Sequence, residues 1–250
     1  MKTKLANMEG KIFPTNEYGD LEILDYQNSR HVLVRFLDTN YQKVVRMDAI
    51  YNGEVRDYLK PSVCGVGIIG DKYPVAVDRV NVREYTIWAG MIYRCYNPLS
   101  LARDPTYVGC GVSTNFAYYP YFYEWCHNQI GFNNPGWHLD KDLLFKGNKL
   151  YSEDTCVFLP AQINVALTNN TSNRGLYPVG VSFEKNKYRA RWQQNGRTFN
   201  AGSFDNEIDA FLAYKLHREQ YLITLAYQYE PLLDPRAFEA LLHYQVDISD

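Results

Sequence analysis

Apolar and polar positions alternate early in the chain. Val32, Val34 and Phe36 are interleaved with Leu33, Arg35 and Leu37, and Asn28-Ser29, Asn40 and Asn52-Gly53 interrupt the runs at short intervals. That is the period of half-buried strands joined by turns, and it predicts a small β-barrel over 9–83. From Tyr85 the period lengthens. Trp88, Met91, Ile92 and Cys95 fall at i, i+3, i+4 and i+7, one face of a helix. The ring-rich stretch Phe116 to Trp125 then reads as packing for a second core rather than a stacking platform for bases. After Pro135-Gly136 come the run Trp137 to Asp142, a turn at Lys146-Gly147-Asn148, and Ser152-Glu153-Asp154, which resembles a helix start. This order predicts a ββα hairpin of roughly 30 residues.

The polar stretch 169–174 marks a linker. Beyond it, Val179 to Phe183, Tyr188 to Gln193 and Arg197 to Ser203 read as three antiparallel strands joined at Lys185-Asn186 and Asn195-Gly196, the second being the strongest hairpin signal in the chain. Asn206 to Tyr227 carries Ile208, Phe211, Leu212 and Leu216 at helical spacing, a face expected to pack on that sheet. A last helix is expected from Asp234-Pro235, a cap followed by proline at the first helical position, to about Gln245. The expected fold class is α+β and multidomain. Its parts are a small barrel (9–83), a central ββα domain (84–168), a three-stranded antiparallel sheet packed on a helix (171–228), and an acidic C-terminal helix and tail (229–250).

Composition narrows the class of protein. With 46% hydrophobic and 22% charged residues the chain is neither collagen, coiled coil nor wholly disordered. No apolar run approaches the ~18 residues of a membrane span, and Met1 to Gly10 lack a signal-peptide core, so a cytoplasmic location is expected. Five scattered cysteines without a C-x-x-C pattern fit reduced thiols, and Cys126-His127 is the nearest approach to a zinc pair. The sequon-like Asn169-Asn170-Thr171 carries no weight without secretion. Gly65-Val66-Gly67-Ile68-Ile69-Gly70 matches G-x-G-x-x-G, yet Asp71-Lys72-Tyr73-Pro74 follows where a phosphate-binding helix would begin. A turn or close packing is the expected use of these glycines, not a dinucleotide site.

Charge is close to balanced overall, 26 basic against 28 acidic side chains, so a nucleic-acid site must come from local segregation. Residues 180–204 supply it: Lys185, Lys187, Arg189, Arg191 and Arg197 stand against the single acid Glu184. Strand alternation places Lys187, Arg189, Arg191 and Gln193 on one face and Tyr188, Ala190 and Trp192 on the other. The first face offers cations and bidentate donors to a DNA major groove; the alternative is an ordinary solvated strand face.

These residues also resemble a family. Gly180-Val181-Ser182, Lys187 to Trp192, Asn195-Gly196-Arg197, Gly202-Ser203-Phe204 and Glu207 to Tyr214 are similar to the APETALA-type DNA-binding domain of plant ethylene-response factors, also found in phage and mobile-element endonucleases. The resemblance implies Arg189 and Arg191 as lead contacts to double-stranded DNA, with Lys187 and Arg197 supporting. The central segment resembles the HNH-type, homing-like endonucleases that carry this module in phages, through Trp88 to Tyr96, Tyr107 to Val112, Phe122 to Trp125, Leu139 to Asp142, Tyr151 to Cys156 and Gln162-Ile163-Asn164. It implies a ββα finger holding one divalent ion, Mg²⁺ or Mn²⁺, beside a scissile phosphate. The usual catalytic histidine has no counterpart, because Leu139-Asp140-Lys141-Asp142 occupies that strand, and Thr155 stands where asparagine is common.

Alternation offers substitutes. His138, Asp140 and Asp142 would share a face at i, i+2 and i+4, with His138 as base and Asp140 and Asp142 as carboxylate ligands. Asn164 would complete the shell or cap packing between helix and strand. The alternative is that Asp140 and Asp142 fix the hairpin turn, His138 is a surface residue and the finger is a scaffold. Two functions remain open at this point. One is a host-cytoplasmic, phage-type endonuclease; the other is a non-catalytic DNA-binding or regulatory protein with a host protein as second partner.

Overall fold

The computed structural model describes residues 8–168, 176–194, 196–248 and 250, and the chain divides into two compact units, Met1–Tyr123 and Glu124–Asp250. The expected linker 169–174, the sequon-like triplet and Asn195 of the second hairpin turn lie outside the described residues. Elements of both α and β type occur in each unit. Among the described residues no helix is long and apolar enough to cross a membrane.

The first unit opens with an antiparallel meander of β1 (Ile12–Pro14), β2 (Asp20–Asn28), β3 (His31–Phe36) and β4 (Gln42–Val45) in sequence order. Alternation is realised as read: Val32, Val34 and Phe36 are buried with Leu21 and Ile23 of β2, while Arg35 reaches across the other face to Glu22 at 2.6 Å. The sheet is not a closed barrel. After Val45 the chain turns into α1 (Met47–Tyr51), and Met47 and Ile50 fill the core where a closing strand would otherwise be needed. β1 has only three residues and ends in Pro14, which has no N–H to extend a ladder.

The glycine run leads into no helix. A Cβ on Gly67 would lie 2.9 Å from the Trp88 ring, and one on Gly70 2.5 Å from Pro120. Close packing is therefore the use of Gly67 and Gly70, while Gly65, with open space around it and φ of 71°, serves the turn. A short hairpin, β5 (Ala76–Val77) and β6 (Val80–Asn81), precedes α2 (Arg83–Tyr96), on which Trp88, Met91, Ile92 and Cys95 are all buried. Trp88 donates from Nε1 to the Phe116 carbonyl at 2.7 Å. Phe116, Tyr119 and Phe122 are fully buried, so these rings do form a core. The remaining elements of this region are α3 (Pro98–Arg103), β7 (Gly111–Val112), α4 (Thr114–Ala117) and α5 (Tyr119–His127); the boundary between units falls within α5.

In the second unit, β8 (Trp137–Asp140) pairs antiparallel with β10 (Val157–Pro160), after the short β9 (Leu150–Tyr151), and α6 (Ala161–Leu167) follows directly. The ββα order is present, but the helix starts after Pro160 and not at Ser152. Residues 152–155 close a turn instead: the Thr155 hydroxyl accepts from the Ser152 amide at 3.1 Å, and the Cys156 amide donates to the Ser152 carbonyl at 3.0 Å. Val157 to Pro160 are buried and extended, as a residue preceding proline prefers.

β11 (Val181–Glu184), β12 (Lys187–Gln194) and β13 (Arg197–Phe204) form the antiparallel sheet in that order, packed on α7 (Glu207–Tyr229). Asn206 caps α7, its Oδ1 accepting from the Asp209 amide at 2.8 Å. The buried side of α7 is not the expected one. Of Ile208, Phe211, Leu212 and Leu216 only Phe211 is buried, and Ala210 and Tyr214 make the contact instead. The contact is tightest at one point: Gly180 lies so close to Tyr214 that a Cβ would sit 2.1 Å from its ring. Finally α8 (Pro235–Leu242) begins where the sequence places it, with Asp234 Oδ1 accepting from the Arg236 amide at 2.8 Å, and ends short of Gln245.

Candidate nucleic-acid interface

The two faces of β12 separate cleanly. Ala190 is fully buried against α7, and the Trp192 ring stacks on His217 of that helix at 4.8 Å and on Phe199 at 5.5 Å. Lys187, Arg189, Arg191 and Gln193 therefore share the opposite face. The β11–β12 turn that aims this face has both central residues, Lys185 and Asn186, at positive φ (50° and 59°), the two-residue hairpin geometry whose twist matches that of the strands.

The arginines are held in place. Arg191 donates from both terminal nitrogens to Glu184, at 2.6 and 2.8 Å, in a planar fork. Arg189 approaches the same carboxylate at 3.9 Å, and its buried Nε has no hydrogen-bond partner, nor has the buried hydroxyl of its cross-strand neighbour Ser182. Lys187 is ion-paired with Asp205.

Arg197 is not brought to this face. β13 carries one extra residue, because Ala190 pairs with Gly202 while Arg191 pairs with Asn200, leaving Ala201 unmatched. Beyond this bulge the parity of β13 reverses. Arg197 then falls by register with Gln194, on the side of Trp192, while Asn200 and Thr198 join Arg191 and Gln193. Sequence alternation alone missed these two polar residues. Gly202, a glycine in a strand interior, was the available signal of a bulge.

The expected metal centre can be tested on its donors. Asp140 Oδ1 accepts from the backbone amides of Asp142 (2.9 Å) and Leu143 (2.8 Å), the bonds of an Asx turn. Burial, reinforced by the nearby Asp142 charge, pushes the Asp140 carboxyl above the usual carboxylate range. The strand ends at Asp140, so Asp142 does not continue its alternation. Instead it takes the ammonium of the buried Lys141 at 2.6 Å, which also donates to the Asn148 carbonyl at 2.9 Å. His138 is exposed, with Nδ1 3.5 Å from the Asn164 amide nitrogen. Among the described residues no three His, Cys, Asp or Glu side chains are grouped so that they could hold a metal ion. The residues present do not fit an Mg²⁺ or Mn²⁺ centre at this finger.

The five cysteines are free thiols, and burial pushes the Cys156 thiol up to about 12. No known protein family, characterised protein or solved structure matches the chain.

Proposed function

We propose that this protein binds double-stranded DNA through the outer face of its C-terminal sheet, with Arg189 and Arg191 as the lead contacts and Lys187, Gln193, Thr198 and Asn200 around them. The observation that carries the reading is the division of β12, one face committed to α7 and the other a row of cations and amide or hydroxyl donors. A flat strand face of this chemistry suits phosphate neutralisation and bidentate contact with purine edges. Arg197, at the hairpin end, takes a phosphate role at the margin. The ββα finger serves as a scaffold beside the reader, its acids spent on turn hydrogen bonds and on Lys141.

Fluorescence anisotropy of the whole protein with labelled duplexes tests this. Binding is expected to fall steeply with salt, and joint replacement Arg189→Ala with Arg191→Ala is expected to abolish site preference. Unchanged affinity in that double variant would remove this surface from consideration. Incubating the same complexes with Mg²⁺ or Mn²⁺ on plasmid DNA tests the endonuclease alternative. The scaffold reading expects intact plasmid, and cutting that Asp140→Ala abolishes would overturn it.

A further inference from the structure

Within the first unit, a cleft of about 800 Å³ opens between the β4 edge, the segment around Tyr58 and the loop through Asp71. Tyr41, Tyr58, Tyr73 and Tyr85 line it together with Lys43 and Arg56. Both cations lean on one ring: Lys43 Nζ lies 4.6 Å from the Tyr58 centroid and the Arg56 guanidinium carbon 5.2 Å from it. Both are only partly exposed, and among the described residues neither has a carboxylate within ion-pair distance. Two acids stand nearby, each bound to neutral donors and not to either cation. Asp71 accepts from the Tyr41 hydroxyl at 2.5 Å, and buried Asp57 accepts from the Thr39 hydroxyl at 2.6 Å and the Leu59 amide at 2.8 Å.

This asymmetry selects a guest. Two half-desolvated cations, neither of them ion-paired, favour an anion beside them, because part-buried charge is costly until it is paired, with Asp71 the one carboxylate among the lining residues. A cationic guest such as a methylated ammonium is disfavoured, since the Tyr58 ring already has two cations beside it. The other lining tyrosines are held by neighbouring rings, Tyr73 stacked on Tyr123 at 3.9 Å and Tyr85 edge-on to Tyr119 at 5.5 Å, so a flat partner would meet a fixed aromatic wall. The volume is within the range of small-ligand pockets.

We infer that this cleft binds a nucleoside phosphate, with the phosphate on Lys43 and Arg56 and the base against the tyrosine rings. It would do so without the glycine loop that the sequence superficially offers. The chemistry is shared by a free nucleotide and by one nucleotide of a single strand. The inference is independent of the C-terminal sheet.

Titrating the full chain with adenosine monophosphate, adenosine, inorganic phosphate and a short single-stranded oligodeoxynucleotide, read by isothermal calorimetry and tyrosine NMR, tests it. Adenosine monophosphate is expected to bind saturably, with adenosine and phosphate alone each about tenfold weaker or worse. Lys43→Ala with Arg56→Ala should lose binding by a similar factor. Lys43→Arg with Arg56→Lys keeps both charges and should retain binding, which separates loss of charge from loss of fold. An oligonucleotide that binds tighter than the monophosphate, with the same dependence on Lys43 and Arg56, identifies a strand as the source; equal affinity identifies the free nucleotide. No saturable binding of either, or binding indifferent to loss of Lys43 and Arg56, overturns the inference.

Discussion

Arg191 and Glu184 face each other across the first hairpin of the C-terminal sheet as a two-pronged ion pair, with nitrogen–oxygen distances of 2.6 and 2.8 Å. In the proposed complex this carboxylate competes with DNA for the guanidinium and repels phosphate. Glu184→Gln is therefore expected to tighten binding to any duplex about two- to fivefold, the value of one partly exposed ion pair. Affinity that stays equal or falls, measured at low and moderate salt, would mean that Arg191 meets DNA without leaving Glu184.

Base readers and phosphate contacts separate by salt. Arg191→Ala should weaken binding to a preferred site by about 1–3 kcal/mol and relax preference there. Lys187→Ala should weaken all duplexes alike and lower the logarithmic salt slope by about 0.9. Identical losses on preferred and random duplexes for both variants would assign Arg191 to the backbone.

Asp140 makes a pH-dependent prediction. Its carboxyl titrates above the ordinary range because it is buried, so the native state holds that proton more tightly than the unfolded chain. The resulting stability is fully present below the unfolded pKa of ~3.9 and is lost as pH rises through the folded value. Asp140→Asn keeps an acceptor for the two turn amides and avoids that loss. Its melting temperature should match wild type in acid and exceed it near neutrality. Asp140→Ala should instead be less stable at every pH by roughly 1–3 kcal/mol, having lost both hydrogen bonds. Parallel melting curves for wild type and Asp140→Asn would contradict this account.

Gly180→Ala tests the seat of the sheet on its helix. The residue has φ of 75°, and an added methyl would meet Tyr214 at 2.1 Å. Strain and clash together should cost more than about 2 kcal/mol. Thermal denaturation of the whole protein would reveal this, and an unchanged midpoint would show that Tyr214 can swing away.

Where side chains repeat with one uninterrupted period, the sequence was sufficient. The buried set of β2 and β3, the inward face of α2 and the division of β12 all followed from alternation or helical spacing. It failed where a local event changed the phase or competed with it. Ser152-Glu153-Asp154 looked like a helix start, but Thr155 closes its own turn and the buried run before Pro160 prefers extension. Asp142 lies two residues beyond the end of its strand, where alternation no longer applies. The outward leucines of α7 mislead because the sheet packs on Ala210, Phe211 and Tyr214, a face turned away from Leu212 and Leu216. Partner choice, such as Glu184 for Arg191, depends on a distance across a hairpin that no period encodes.

The unmatched Ala201 determines more than strand twist. Asn200 and Ser203 are three apart, an odd interval, and yet share a face with Arg191 and Arg189. If the ladder were to pair without interruption, Ala201, Phe199 and Arg197 would turn outward in place of Asn200 and Thr198. One strand thus spells two mutually exclusive surfaces, a polar one and an aromatic, cationic one, and a single skipped residue chooses which of them a partner meets.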